Sequence, residues 1–252
     1  MIVILTIAAI GLLIGLMAGK RNIPNENPDN ADSTKIADRV LNLIILDESG
    51  SMHGLEEVSV SGVNETIQTI RSSYEKLPEQ KQLLTFITFS TIGESQIRTR
   101  INFKEIAEVN DYRINDYSPL GGTPLYDAMG SALLMMEEAS TDSDIDLVTI
   151  ITDGYENSSQ RFNAEDIQKL VKRLDEKDWV FTYIGANQDA ILEAGRLGIR
   201  NAMNYDASLD GTREMWEKER SSRERFMEGA RKGTVKRRLK ENYFNEETGD
   251  HE

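Results

Sequence analysis

The chain has 252 residues, enough for one α/β core with additions at its ends. It has no cysteine and only two histidines, His53 and His251, which excludes disulfides, cysteine-ligated zinc, iron–sulfur clusters and thiol catalysis and argues against a multi-histidine metal centre; a metal here would be a hard cation such as Mg2+ held by oxygen. With 29 Lys and Arg against 43 Asp and Glu, a net charge of −14, the body would repel nucleic-acid phosphates, and no nucleic-acid partner is expected.

Residues 1–18, MIVILTIAAIGLLIGLMA, carry no charged side chain. As a helix they would rise about 27 Å, close to the thickness of a bilayer core. Lys20 and Arg21 follow directly, which by the positive-inside tendency places the downstream chain in the cytoplasm. No basic n-region or small-residue cleavage point is evident, so the expectation is an uncleaved single-span anchor over residues 1–19; a cleaved signal and a misassigned start codon are the alternatives. Gly11, Gly15 and Gly19 have the spacing of packing transmembrane helices without deciding whether the chain forms a homo-oligomer. Residues 20–35 are polar, with two prolines and four asparagines, and read as a flexible tether.

The folded body is expected over 36–210. VLNLIIL (40–46) reads as a strand buried on both faces. Val60, Val63, Ile67, Ile70, Tyr74 and Leu77 then recur at helical spacing. LLTFITF (83–89) is a second buried strand, whereas in 97–103 Ile97, Thr99, Ile101 and Phe103 alternate with Arg98, Arg100 and Asn102, the one-sided pattern of an antiparallel edge. Pro124 suits the start of a helix burying Leu125, Met129, Leu133 and Met136. A strand at 146–152, a helix marked by Ile167, Leu170, Val171 and Leu174, a strand at 179–185, a short helix over 190–197 ended by Gly198 and a short strand at 202–205 complete the alternation. Such alternation implies an α/β fold, a mainly parallel sheet with helices on both faces. Residues 211–252 are expected to form a charged helix and tail. Met215, Trp216, Phe226 and Met227 make a stripe able to dock on the body, Glu214–Lys218 and Glu219–Arg223 are i,i+4 pairs, and a basic run follows from Arg231 through Lys232, Lys236, Arg237 and Arg238 to Lys240. That run is either a contact for anionic lipid or an acidic partner, or a solvated face offset by the acidic tail.

Ligands of open parallel sheets gather beyond the carboxyl ends of the strands. The first strand delivers Asp47, Ser49 and Ser51 there, in ILDESGSM; the fourth ends at Asp153 in ITDGYEN; the loop PLGGTPLYDAM offers Thr123. Two carboxylates and three hydroxyls suit Mg2+, which takes six oxygens and keeps several waters. Because hydroxyls are neutral, two carboxylates only just balance the cation, and an incoming carboxylate could take a remaining position. Glu48 reads most simply as a solvent-facing loop residue, with support of the site as the alternative; capping or salt-bridging accounts for Asp127 and Glu156 about as well as a role at the nearby site; Asn187 and Asp189 read as the start of the next helix on the same rim, and His53 as an exposed loop residue.

DESGS (47–51), Thr123 in GGTPLYDA and Asp153 in TDG resemble, residue by residue, the metal-ion-dependent adhesion site of von Willebrand factor A domains, and residues 38–210 look like small stand-alone bacterial members of that family. The resemblance implies a doubly wound six-stranded sheet of order 3-2-1-4-5-6 with one antiparallel strand. It implies that Asp47, Ser49 and Ser51 ligate a Mg2+ (or Mn2+) ion directly or nearly so, that Thr123 and Asp153 act directly or through water, and that an acidic side chain of a partner protein completes the coordination. The function expected is a non-catalytic, membrane-anchored scaffold or regulatory module, or an adaptor for an ATPase complex; with no GxxxxGK[ST] of its own, this chain would not be the motor. The alternative is a Mg2+-dependent phosphoryl-transfer enzyme with an aspartyl nucleophile, against which stands Ser49, where phosphatases of that type resemble DxDx[TV] and have a second carboxylate.

Overall fold

The apolar run after residue 38 forms strand β1 (Arg39–Asp47), buried on both faces. Val40, Ile44 and Leu46 belong to one core cluster, and Leu41, Leu43 and Ile45 to the other, the period of two that a central strand between helical layers must have. This computed structural model describes residues 37–93, 96–186, 190–232, 240–241 and 243–244. The expected anchor over 1–19 and tether over 20–35 lie outside the described residues. Among the described residues no helix is long and apolar enough to cross a membrane.

Beside β1 lie β2 (Lys81–Phe89), β3 (Ile97–Glu105), β4 (Ile145–Thr152), β5 (Val180–Ala186) and β6 (Asn201–Tyr205), in the order β3-β2-β1-β4-β5-β6. All neighbours pair in parallel except β3, which runs antiparallel to β2. Order and edge strand agree with expectation. Helices α1 (Glu56–Lys76) and α5 (Leu209–Arg231) cover one face; α2 (Leu125–Ala139), α3 (Ala164–Asp175) and α4 (Ala190–Arg196) cover the other. The order reverses between β1 and β4, so a crevice opens beyond their carboxyl ends.

Three features depart from the sequence reading. The alternation expected in β3 is broken: register shifts occur between Leu84 and Phe86 and again between Phe86 and Ile87, and Ile97 and Ile101 pack on opposite faces of the sheet. Extra residues of this kind bend an edge strand and re-aim its side chains, here swinging Arg98 and Arg100 toward the end of β1. Secondly, Glu219–Arg223, an ordinary surface pair by spacing, is fully buried at 2.8 Å. Arg223 reaches across to Asn42 Oδ1 on β1 and Thr149 Oγ1 on β4, at 3.1 and 2.8 Å, which explains a polar residue inside the apolar run of β1. Thirdly, the basic run is not a bare patch where it is described: Arg231 and Lys232 pair with Glu228, and Lys240 with Asp175. Lys236, Arg237 and Arg238 lie outside the described residues. Met215, Trp216, Phe226 and Met227 are all buried, and α5 packs along α1.

Candidate metal centre

β1 and β4 are neighbouring parallel strands, so Asp47 and Asp153 emerge at the same end of the sheet. After Asp47 the chain turns at once: the Ser49 N–H donates to Asp47 Oδ1 at 2.7 Å, an Asx-type turn, and a 3-10 turn follows over Gly50–Met52. The Gly50 N–H donates to the Gly121 carbonyl at 2.9 Å, which seats the loop carrying Thr123 on the loop carrying the serines. Gly121 has φ of +86°, a conformation that a residue with a Cβ resists. Asn157 fastens the other side, its Oδ1 accepting from the Thr123 N–H at 2.9 Å.

These constraints bring Asp47, Ser49, Ser51, Thr123 and Asp153 together. Ser49 Oγ lies 3.1 Å from Ser51 Oγ, and Ser51 Oγ donates to Asp153 Oδ1 at 2.6 Å. A Cβ placed on Gly154 would stand 3.1 Å from Thr123 Oγ1, 3.3 Å from Ser51 Oγ and 3.7 Å from Asp47 Oδ2, so oxygens from two separated segments face one point on a third. Asp47, Ser49 and Thr123 are buried, whereas Ser51 is exposed and Asp153 half-buried, which leaves the cluster one open side.

Burial pushes the Asp47 carboxyl from 3.8 up to about 6; hydrogen bonds from Thr152 and Ser49 oppose the rise and the neighbouring Asp153 adds to it. Asp153 is raised too, by burial offset in part by Ser51. Among the described residues no cation forms an ion pair with either carboxyl. A half-enclosed set of oxygens, two of them on carboxylates short of a counter-ion, fits a hard divalent cation. Among the described residues no three His, Cys, Asp or Glu side chains are grouped so as to hold a metal ion, so this mixed carboxylate–hydroxyl set is the candidate.

Several supporting residues escaped the sequence reading. Glu48 takes the less favoured of its two readings: it does not face solvent but is 2% exposed, receives Arg98 at 2.7 Å and Arg100 at 2.9 Å, and accepts from the Ser118 N–H at 2.7 Å. Burial acts to raise its pKa, but hydrogen bonds from Thr88 and the Ser118 N–H, together with the two arginines, outweigh that and lower it. Thr152 Oγ1 donates to Asp47 Oδ2 at 2.6 Å, and Tyr117 donates to the Asp47 carbonyl at 2.7 Å. Asp127 and Glu156 prove to be caps. Asp127 accepts from the N–H groups of Gln160, Arg161 and Phe162, and Glu156 from those of Tyr126, Ser158 and Ser159. His53 is exposed and lies 2.9 Å from Glu56. Asn187 and Asp189 lie outside the described residues.

No family model matches the chain, and no curated protein matches its sequence. Solved structures do. The pilus adhesin SpaC from Lactobacillus rhamnosus GG matches 75% of this chain with a TM-score of 0.58 at 14% identity. Proximal thread matrix protein 1 from the mussel byssus matches 72% with a TM-score of 0.50 at 16% identity. A von Willebrand factor type A structure from Catenulispora acidiphila matches 75% with a TM-score of 0.49 at 14% identity. The chain spans 31%, 45% and 43% of those three chains, less than half of each. The likeness is one of fold, and the sheet order with its single antiparallel strand is the one that the resemblance in the sequence implies.

Proposed function

We propose that this chain is a non-catalytic protein-binding module, held at a membrane by residues 1–19 with its folded body in the cytoplasm, whose divalent-metal site takes a carboxylate from a partner protein. Asp47, Ser49, Ser51, Thr123 and Asp153 would hold Mg2+, with Mn2+ as an acceptable substitute. When bound, the cation supplies a positive centre able to accept one more oxygen ligand. The chain's own part is to hold five side-chain groups in register and to leave the Ser51–Asp153 side open. The observation that carries this reading is the convergence around Gly154: oxygens of Asp47, Ser51 and Thr123 within 4 Å of a point that only hydrogen occupies.

An aspartyl nucleophile is the weaker alternative. Asp47 Oδ1 already accepts from the Ser49 N–H and Oδ2 from Thr152, in a fully buried position, so neither oxygen is presented for attack. A scaffold or regulatory role follows, and an ATPase complex is one candidate assembly. Isothermal titration of the full chain in lipid nanodiscs with MgCl2 tests the site. Binding is expected for the parent chain and loss of at least about tenfold in affinity for Asp47→Ala, which removes one of two carboxylates. Absence of binding by the parent chain sinks the proposal.

A further inference from the structure

The large apolar side chains exposed among the described residues are not scattered. Six of the eight, Ile92, Leu120, Tyr155, Ile191, Leu192 and Leu209, belong to the loops and helix starts at the carboxyl ends of the strands, and each is between 45% and 63% exposed. Single exposed apolar residues need no explanation, but a cluster ringing a polar site does. The strand order sets their sides: Ile92 follows β2, on one flank of the β1–β4 crevice, while Tyr155 follows β4 and Ile191 and Leu192 open α4 after β5, on the other.

The nearer three are fixed to the segments that carry the site. A Cβ on Gly121 would lie 2.6 Å from Ile92 Cγ1, so Ile92 rests on the loop that leads into Thr123. Leu120 is held by its N–H, which donates to the Glu48 carbonyl at 3.0 Å. Tyr155 lines a small cavity with Asp153, Gly154 and Ala190.

Three described acids near the site are, by contrast, already engaged. Glu48 is clamped by Arg98 and Arg100; Glu156 caps three backbone N–H groups; Glu193 accepts from Tyr126 Oη–H at 2.5 Å and faces Arg196 at 3.5 Å. A basic residue beside the partner's acid would therefore meet acids that have other partners. An apolar residue would meet apolar surface and close water out of the cluster. Excluding water strengthens attraction between a carboxylate and a cation, because the local dielectric falls, and a ring of contacts that seals a polar centre is how strong interfaces are commonly built.

We infer that the partner presents its carboxylate on a segment flanked by bulky apolar side chains, which seat on Ile92 and Leu120 on one side and on Tyr155 on the other. This rests on the metal-site reading above, and the test separates the two. A displayed peptide library with a fixed central Glu and four randomised positions on each side is panned on the full chain in lipid nanodiscs, in Mg2+ and in EDTA. Mg2+-dependent enrichment of Leu, Ile, Phe or Met within two residues of the Glu is expected. A synthetic peptide of the selected sequence should lose about tenfold in affinity when its flanks are changed to Ser, and similarly against Ile92→Ser/Leu120→Ser/Tyr155→Ser, a variant that should still bind Mg2+ by calorimetry like its parent. Mg2+-dependent enrichment with polar or basic flanks, or an unchanged affinity for the triple variant, overturns the inference and leaves the metal site standing. Enrichment that EDTA does not abolish, or none at all, overturns it as well. Failure of the parent chain to bind Mg2+ in calorimetry takes down the site reading itself.

Discussion

Gly154 follows Asp153 in a conformation outside the left-handed region, so alanine meets no backbone penalty there. The added methyl would instead stand 3.1 Å from Thr123 Oγ1 and 3.3 Å from Ser51 Oγ, crowding two of the proposed ligands. Gly154→Ala is expected to keep its melting midpoint within about 3 °C of the parent and to weaken Mg2+ binding at least about tenfold. Calorimetry on the full chain checks both; undiminished binding would mean the ion sits elsewhere. Asp47 and Asp153 are legible in the sequence because each ends an apolar run, Thr123 because it precedes one, and Ser49 and Ser51 because they follow Asp47 at alternate positions in DESGS. Their supports are not. Glu48 looks like any loop acid until folding brings Arg98 and Arg100 onto it from 50 and 52 residues away. Thr152 reads as one more β-branched strand residue, and nothing local says that its hydroxyl reaches Asp47 across 105 positions.

At the scale of elements, the packing of α5 on α1 explains a glycine in mid-helix. Gly62 costs α1 about 1 kcal/mol in helix propensity relative to alanine. A Cβ there would come 2.0 Å from Trp216 Cδ2, so the indole of α5 occupies the place a side chain would take. Gly62→Ala should therefore destabilise despite its better propensity, by about 1–3 kcal/mol from overpacking. Urea unfolding followed by circular dichroism reads this as a lower midpoint with an unchanged slope; a higher midpoint would show that α5 does not seat as described. The helices and strands were legible from their periods of 3.6 and 2, which burial imposes directly. What composition could not convey is pairing. Glu219 and Arg223 have the spacing of a solvated pair, and only Asn42, Thr149 and Tyr243, three segments distant in sequence, make their burial tolerable. The bulges of β3 escaped for a similar reason, since register depends on the partner strand and not on the strand alone.

Over the whole molecule, the site makes the metal-free fold work against its own charge. Asp47 titrates near 3.8 when unfolded and at about 6 when folded, so between these values the native state holds more proton than the unfolded chain. Stability from this group is present below about pH 4 and is lost as pH rises through about 6, a change on the order of 3 kcal/mol. Glu48 and Asp144 act in the opposite sense: their folded values are lowered, so what they contribute is present above their unfolded values and fades as pH falls. Comparison with Asp47→Asn isolates the first effect, since the clamp of Glu48 and the pair of Asp144 with Arg39 are common to both chains. Without metal, the parent is expected to lose stability relative to Asp47→Asn between pH 4 and pH 6 and to run parallel to it above pH 7. Saturating Mg2+ should erase that loss, because a bound cation favours the ionised carboxylate and stabilises only the folded state. Urea midpoints across pH 4 to 8, with Mg2+ and with EDTA, measure all four curves. Curves for the two chains that coincide in EDTA would show that Asp47 is not held as a buried acid, and a Mg2+ effect of equal size in Asp47→Asn would show that the cation does not bind there.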